Sequence, residues 1–329
     1  MSTLTASPPQ KNGLRSVSIR YDLSPIADLI ELCFADQMDG SGRAAVREMR
    51  ALSHFGPFLW LLKGLDLMLR GLMQGFVWVE DGSVVGNVSI YPTGYARTWV
   101  IANVAVHPDY RNQRIAFQLC EAAMQRIVKW NGEAAILQVD EDNDPARRLY
   151  QRLGFFTERA FTRWHWSSGN HVPRPLPDMP RITYRSLQEG RAAYQLVNMV
   201  RPNHRGGVGW MRPLRESDFR VTPLSVARRT VSSSAREQWV VRGDEGLDAL
   251  ILTESKFGSS TLMFDMMVHP QKQGELETSL VNYILRSAAD RFRAAATDHP
   301  ADDILAEEVF RANSFKPRRT LVNMRWDAL

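Results

Sequence analysis

Cysteine is scarce in this chain of 329 residues, which contains only Cys33 and Cys120. Two cysteines cannot build the disulfide framework of a small secreted protein, and these two lack the spacing of metal ligands. The first ten residues are polar, so the sequence predicts no secretion signal there. These absences favour a reducing, cytoplasmic location and give no reason to expect a metal.

Lysine is scarce too, because only six of the 41 basic residues are lysine and the others are arginine. The net charge is +5 and the isoelectric point is about 9.3. The basic residues form no long run and do not alternate with aromatic residues, so no nucleic-acid partner is expected. We assign most arginines to a solvated surface, although guanidinium groups also suit phosphate and carboxylate ligands.

Long hydrophobic runs are limited to residues 57–74, where only Lys63, Asp66 and Arg70 interrupt the apolar sequence. Three charges and this length argue against a transmembrane segment. At helical spacing the charges share one narrow face, which predicts a helix that protein covers on its other sides. A core helix is favoured, followed by a wall of a substrate pocket or a contact in a homodimer, and contact with a membrane surface is a further alternative.

The apolar periodicity before residue 167 predicts the element order β-α-α-β-β-β-α-β-α-β. Asp81-Gly82 between two apolar runs is typical of a hairpin turn. Ser24 and Pro25 are expected to begin the first helix, after a strand at 17–21. The remaining predicted helices and strands are 43–53, 76–80, 84–91, 98–106, 115–130, 134–140, 144–153 and 156–166.

Four prolines between residues 173 and 180 predict a stiff linker that divides the chain almost in half. A repeat crosses this linker, because Val106-His107-Pro108 recurs as Val268-His269-Pro270. Ala146–Phe155 similarly aligns with Ala306–Phe315. The sequence therefore predicts a duplication, and the predicted parts are a tail at 1–16, a first domain at 17–166, a linker at 167–180 and a second domain at 181–329.

The most informative segment follows the apolar strand that ends at His107-Pro108. A tight turn with Arg111 comes next, and a helix is predicted to begin at Ile115. The N-terminus of a helix presents unpaired N–H groups and the positive end of the helix dipole, which together bind phosphate oxygens. Arg111 and Arg114 would add charged donors to such a site.

Arg111-x-x-Arg114-x-Ala116 after this strand resembles the acetyl-CoA pyrophosphate loop of the GNAT superfamily of N-acetyltransferases. That loop usually reads Gln/Arg-x-x-Gly-x-Gly/Ala. Asn143-x-x-Ala146-x-x-Leu149-Tyr150-x-x-x-Gly154-Phe155 is similar to the final motif of the same superfamily. The resemblance implies an α/β (α+β) chain of two tandem GNAT-like domains, each with a mixed, mostly antiparallel twisted sheet flanked by helices.

The resemblance also implies the roles of individual residues. Tyr150 would be the general acid that protonates the departing CoA thiolate, although a tyrosine beside Gly154-Phe155 could equally be a core aromatic. Asn143 would either contact the cofactor or only form a turn before the helix. The implied acetyl-CoA contacts are Asn143, main-chain groups of Val104, Ala105 and Val106, and the loop residues Arg111, Asn112, Gln113, Arg114, Ile115 and Ala116.

Arg114 departs from the family pattern, because glycine is usual at its position. If the position required a positive φ, arginine would be strained there. If the backbone is already helical, arginine is harmless and could hold a phosphate. The intact helix pattern from Ile115 onward favours the helical backbone.

The second half lacks the chemical groups of the first. Its loop reads Gln271-Lys-Gln-Gly274-Glu-Leu, where Glu275 would repel phosphate, and Phe310 replaces the tyrosine. The implied function is transfer of an acetyl group from acetyl-CoA to a primary amine of a small molecule or a protein, by direct attack in a ternary complex. The alternative is a non-catalytic acyl-CoA-binding or regulatory protein on the same fold.

Overall fold

The computed structural model describes residues 12–35, 40–54, 74–169, 172–203, 207, 210–220, 234–244 and 246–328. The predicted apolar helix at 57–74 lies outside these residues, apart from Gln74. The chain forms two compact units. Unit 1 comprises residues 1–138, 145–156 and 325–329, and unit 2 comprises residues 139–144 and 157–324.

Unit 1 is built on a sheet with the strand order β1-β2-β3-β4-β5. Neighbouring strands are antiparallel except for β4 and β5, which are parallel. The strands are β1 Gly13–Ser16, β2 Gly75–Glu80, β3 Ser83–Pro92, β4 Thr98–Val106 and β5 Ala134–Asp140. The helices are α1 Ile19–Phe34, α2 Gly40–His54, α3 Ile115–Lys129 and α4 Asp144–Arg152.

Apolar side chains of α1 and α2 pack against β2. They form a buried cluster of Leu23, Ile26, Ala27, Ile30, Val46, Met49, Val77 and Val79. Helix α3 lies very close to the sheet at Gly86, where an added Cβ atom would come within 2.9 Å of Ile115. The absence of a side chain at Gly86 therefore allows α3 to lie against β3, which fixes where the helix begins.

The prediction for the first elements is wrong. The strand expected at 17–21 is instead β1, Gly13–Ser16, which lies inside the predicted tail. Helix α1 begins at Ile19, so Pro25 is an interior residue of the helix and not its first. Proline is usual in the first turn because its missing N–H is harmless there, and that general preference misplaced the boundary.

Asp22 accounts for the early start of α1. Its buried carboxylate accepts a hydrogen bond from the Ser18 N–H at 2.6 Å. The guanidinium of Arg15 forms two further bonds with the same carboxylate, at 2.6 and 2.7 Å. A carboxylate in the first turn of a helix is also favoured by the helix dipole. These contacts tie β1 to the helix start.

Unit 2 repeats this plan with the strand order β12-β6-β11-β10-β9-β8-β7. From β6 to β7 in this order, β10 and β11 are parallel and the other neighbouring pairs are antiparallel. The strands are β6 Phe156–Ser167, β7 Thr183–Tyr184, β8 Ser234–Gly243, β9 Gly246–Lys256, β10 Thr261–Val268, β11 Ala294–Pro300 and β12 Lys316–Asp327. The helices are α5 Gly190–Val200, α6 Glu277–Ala289 and α7 Ile304–Ala312.

The two units do not follow the halves of the sequence. Strand β6, predicted to end the first domain, pairs with β11 from Phe161 opposite Pro300 to Ser167 opposite Ala294. Residues 325–329 belong to unit 1, where the Ala328 N–H bonds the carbonyl of Glu133 at 2.8 Å. The predicted linker at 167–180 consequently lies within unit 2.

The predicted repeat is visible in matching local bonds. His107 Nδ1 accepts the Asp109 N–H at 3.4 Å, and His269 Nδ1 accepts the Gln271 N–H at 3.3 Å. Each histidine thereby caps a short 3-10 turn, as the sequence predicts for a strand-end residue. None of the helices that the structure describes is long and apolar enough to cross a membrane.

Candidate functional site

Strands β4 and β5 separate after a short parallel ladder in unit 1. The paired residues are Thr98 with Ala134, Trp99 with Ala135 and Val100 with Ile136. The ladder ends there, although β4 continues to Val106. The second half of β4, which includes Val104, Ala105 and Val106, therefore has main-chain groups on this side that β5 does not pair.

On its other side β4 carries a bulge against β3. The register shifts between Asn87 and Ser89, so that Asn103 and Val104 together oppose one β3 residue. Asn103 has a φ of 51°, in the left-handed region, which asparagine tolerates better than most residues. A bulge of this kind bends the strand and takes main-chain groups out of the regular ladder.

The loop after β4 has the shape of an anion site. A 3-10 turn at Pro108–Tyr110 is followed by left-handed residues, with a φ of 63° at Asn112 and 60° at Arg114. Helix α3 begins at Ile115, and the first backbone bond that closes it runs from Gln118 to the carbonyl of Arg114. The earlier N–H groups of the helix are thus available to a ligand.

The structure corrects the prediction for Arg114. Its backbone is left-handed, with φ 60° and ψ 12°, and not helical as the sequence favoured. The glycine usual at this position would adopt this conformation without strain, whereas an L-residue such as arginine is strained there by about 1–2 kcal/mol. The side chains of Arg111, Asn112, Gln113 and Arg114 are all exposed, so the loop faces solvent.

Arg111 links the loop to the end of β4. Its Nε donates a hydrogen bond to the carbonyl of Val106 at 3.3 Å. The thiol of Cys33, on α1, lies 3.5 Å from the same carbonyl oxygen. Burial raises the pKa of Cys33, and the nearby Arg111 guanidinium opposes that rise. The cationic group is therefore held beside the unpaired part of β4.

Tyr150 lies on α4, buried in unit 1 against α3. Its ring packs edge-on against Phe155 with 5.9 Å between centroids. Burial raises the pKa of Tyr150 well above its usual value, and the nearby Cys120 acts in the same direction. The hydroxyl therefore stays protonated over the whole physiological range, which a proton donor requires. The same packing also suits a core aromatic.

Asn143 and Asp140 lie in the turn after β5. Both cluster with unit 2, whereas the loop and Tyr150 belong to unit 1. The Asn143 N–H bonds the Asp140 carbonyl at 3.1 Å, which is the geometry of a turn. The Asp140 carboxylate forms two bonds of 2.9 Å with Arg319. Asp140 is thus an ion-paired residue.

Unit 2 contains a comparable separation of parallel strands, because β10 and β11 pair only from Thr261–Met263 to Ala294–Ala296. Its antiparallel ladder differs from that of unit 1. Strand β9 pairs with β10 without a break from Met263 opposite Glu254 to Val268 opposite Ala249. The second unit therefore has the separation of strands but lacks the bulge.

A buried arginine occupies the separation in unit 2. The Arg201 guanidinium bonds Asp265 on β10 at 2.7 Å, the Met266 carbonyl at 3.4 Å and His299 Nδ1 on β11 at 3.2 Å. Burial lowers the pKa of His299, so the neutral ring accepts from Arg201 and donates through Nε2 to Asp303. Protein groups thus fill the place that a ligand would need between these strands.

A carboxylate occupies the loop of unit 2. Glu277 is buried, and its Oε2 accepts the Gly274 N–H at 2.8 Å. Burial raises the pKa of Glu277, while backbone N–H groups of Glu277, Gly274 and Leu276 oppose the rise. Glu275, which the sequence singled out, is exposed and pairs with Lys272 at 3.1 Å. The residue that fills the anion position is therefore Glu277.

Within the described ranges, no group of three or more histidine, cysteine, aspartate or glutamate residues is placed to hold an ion. The polar atoms at the end of β4 are main-chain amides and an arginine. These groups suit an anionic ligand with a carbonyl group and do not suit a cation.

Variants of Arg114 separate the charge of this residue from its backbone strain. Arg114→Gly and Arg114→Ala both remove the guanidinium, so each should weaken acetyl-CoA binding by about tenfold or more if it contacts phosphate. Only glycine relieves the left-handed strain, so Arg114→Gly should unfold at a higher temperature than Arg114→Ala. Calorimetry and thermal melts check both expectations. Wild-type affinity in both variants would show that the side chain does not bind the ligand.

Comparison with known proteins agrees with this geometry. Residues 44–155 match the model of the Acetyltransferase (GNAT) family. Over 96 residues the chain is 34% identical to a mycothiol acetyltransferase from Corynebacterium aurimucosum, covering 28% of this chain and 27% of that protein. Over 92 residues it is 34% identical to an N-alpha-acetyltransferase from Saccharolobus solfataricus, covering 24% of this chain and 54% of that protein. The matched part of the chain covers about a quarter of the length of the first relative and about half of the length of the second.

Two solved structures share the fold over nearly the whole chain. A GCN5-related N-acetyltransferase from Sphaerobacter thermophilus has a TM-score of 0.63 at 17% identity, covering 98% of this chain and 97% of that chain. A tandem GNAT protein from the clavulanic acid biosynthesis pathway has a TM-score of 0.54 at 15% identity, covering 95% and 98%. At such identities the likeness concerns the fold alone, and it confirms the predicted α/β architecture of two GNAT-like domains.

Proposed function

We propose that this chain, whose residues 44–155 match the Acetyltransferase (GNAT) family, moves the acetyl group of acetyl-CoA to a primary amine and that unit 1 alone holds the donor. The observation that carries the proposal is the combination, in unit 1, of a bulged β4 and a left-handed loop at the start of α3. Backbone N–H groups of 112–116 would receive the pyrophosphate, with Arg111 and Arg114 adding charge.

The chemistry needs few protein groups. The amine nitrogen attacks the acetyl carbonyl carbon, the C–S bond breaks as the amide C–N bond forms, and the attacking nitrogen releases its proton to water. The negative charge that develops on the carbonyl oxygen needs a donor already in place, and main-chain N–H groups of Val104–Val106 would supply it. Tyr150 would give its proton to the departing thiolate and then recover a proton from water, so that the products are the amide and the free thiol.

The acceptor is an amine of a small molecule or of a protein. The names of two relatives fit these two classes, one a mycothiol acetyltransferase and the other an N-alpha-acetyltransferase. Release of free CoA thiol, measured against a panel of amino sugars, amino thiols and peptides with free N-termini, distinguishes the classes. Acetyl-CoA binding without thiol release for any amine would instead favour the alternative, an acyl-CoA-binding protein without transfer activity.

The number of binding sites tests the assignment to unit 1. Calorimetry should give one acetyl-CoA per chain, because Arg201 and Glu277 fill the corresponding positions of unit 2. Arg111→Ala should weaken binding by about tenfold or more, the usual effect of removing a charged hydrogen bond. Gln273→Ala in the loop of unit 2 is the matched control and should leave the affinity unchanged. Two equivalent sites, or a large effect of Gln273→Ala alone, would contradict the assignment.

A further inference from the structure

A buried polar network lies directly behind the bulge of β4. Asn87, on β3, is fully buried, and its Nδ2 donates a hydrogen bond to the main-chain carbonyl of Asn103 at 2.9 Å. Asn103 Nδ2 in turn donates to the hydroxyl of Tyr91 at 3.0 Å and to that of Ser89 at 3.3 Å. The side chains of β3 therefore hold both the backbone and the side chain of the bulged residue.

The orientation of the Asn87 amide shows which contact the structure preserves. Its Oδ1 is buried and accepts no hydrogen bond from any residue that the structure describes. An unpaired buried acceptor is costly, and turning the amide around would bring this oxygen against the Asn103 carbonyl oxygen. The Asn87 amide therefore keeps its Nδ2 hydrogen bond to the bulge, although its Oδ1 is left without a hydrogen bond in the described part of the chain.

Unit 2 provides an internal comparison. Val85 accepts the His107 N–H and Asp248 accepts the His269 N–H, so the two β3–β4 and β9–β10 ladders can be aligned. Two residues further along, Asn87 corresponds to Leu250, which has no donor to offer. The ladder beside Leu250 continues without a shift. Within one chain, the bulge is present where the asparagine is present and absent where leucine replaces it.

We infer that Asn87 is a positioning residue, which holds the bulge at Asn103 so that the following main-chain N–H of β4 points at the carbonyl of the bound acetyl group. This inference rests on the proposed function of unit 1. Asn87 acts through the backbone and does not itself touch the substrate. Burial raises the pKa of Tyr91, so the network behind the bulge stays neutral, and no charge there competes for the N–H.

The experiment compares two ligands that differ only at the carbonyl. S-ethyl-CoA has the shape of acetyl-CoA but lacks its carbonyl oxygen. Wild-type protein should bind acetyl-CoA more tightly than S-ethyl-CoA, by up to about tenfold, which is the value of one neutral hydrogen bond. Asn87→Leu, which copies unit 2, should abolish this preference and leave the affinity for S-ethyl-CoA unchanged. Turnover should fall by about tenfold or more, and the KM for acetyl-CoA should rise by no more than the binding preference that is lost.

Three further variants test the same inference independently of Asn87→Leu. Asn87→Asp preserves the shape of the side chain but puts an oxygen against the Asn103 carbonyl, so it should lose the preference even if Asn87→Leu does not fold. Asn103→Gly should retain the preference, because glycine adopts the left-handed backbone without strain. Ser89→Ala is the control within the network, since the Ser89 hydroxyl contacts the side chains of Asn87 and Asn103.

Each outcome decides one point. If wild-type protein binds neither ligand, the proposed function fails. If wild-type protein prefers acetyl-CoA and Asn87→Leu keeps the same preference, the positioning role of Asn87 is wrong and the proposed function stands. Equal affinity of wild-type protein for the two ligands would also overturn the role, because no carbonyl bond would then exist for Asn87 to position.

Discussion

Replacing Tyr150 by phenylalanine should lower turnover by about 100-fold or more, the usual scale of general acid catalysis. Acetyl-CoA affinity should barely change, because the ring remains and only the hydroxyl is lost. Unit 2 shows that phenylalanine fits the position. Phe310 is buried there, its ring packs against Phe315 with 5.2 Å between centroids, and its carbonyl accepts the Phe315 N–H at 2.9 Å, as Tyr150 does for Phe155.

Tyr110→Phe is the matched control, since it makes the same chemical change at a residue whose ring packs edge-on against His107. Rates are measured under conditions where the chemical step limits turnover. Because burial raises the pKa of Tyr150, the wild-type rate should not fall near pH 10 as it would with an exposed tyrosine acid. Unchanged turnover in Tyr150→Phe would leave Tyr150 as a core aromatic.

Removing residues 325–329 should abolish acetyl-CoA binding, because this short segment belongs to unit 1. Trp326 packs on the turn at Gly154, which ends the helix that carries Tyr150, with its Cδ1 3.4 Å from the ideal Cβ position. Gly154 has a φ of 90°, a backbone conformation that favours glycine, so the turn tolerates few other residues at this position. The Ala328 N–H also bonds Glu133 just before β5.

Two point variants separate the effect of losing the Trp326 side chain from the effect of shortening the chain. Trp326→Ala should destabilise the unit that binds acetyl-CoA by about 2–4 kcal/mol, somewhat less than loss of a fully buried tryptophan. Asp327→Ala, in the same segment, removes only an exposed ion pair with Arg325 and should change stability by less than about 1 kcal/mol. Thermal melts with and without acetyl-CoA measure both. A fragment ending at residue 166 that binds acetyl-CoA like the whole chain would contradict the expectation and support the domain boundary predicted from sequence.

Local chemistry made much of unit 1 predictable. The Asp81-Gly82 turn, the helix from Ile115 and the helix that ends just before Gly154 depend on residues within a few positions of one another, and each occurs as expected. The start of α1 was missed because Asp22 reaches back to Ser18 and overrides the ordinary preference for proline in a first turn.

The features that were missed depend on distant residues. A duplicated sequence contains two similar final strands, and nothing local in β6 says that it pairs with β11. Arg201 meets its partners Asp265 and His299 only through the fold, about 60 and 100 residues along the chain. The left-handed backbone of Arg114 could have been read from the glycine usual at its position, but the helix pattern after it pointed the other way.

Glu277 has a thermodynamic consequence for the whole chain. In unit 2 the carboxyl group of Glu277 already bonds the loop at Gly274, so the loop needs no bound ligand to satisfy that N–H. A ligand that binds only the folded form of unit 1 raises the free energy of unfolding of that unit by about 2.7 kcal/mol when the free ligand concentration is a hundred times the dissociation constant. The two copies of one ancestral fold would thus differ in a property that no contact map shows: the lifetime of one would follow the acetyl-CoA concentration of the cell, and that of the other would not.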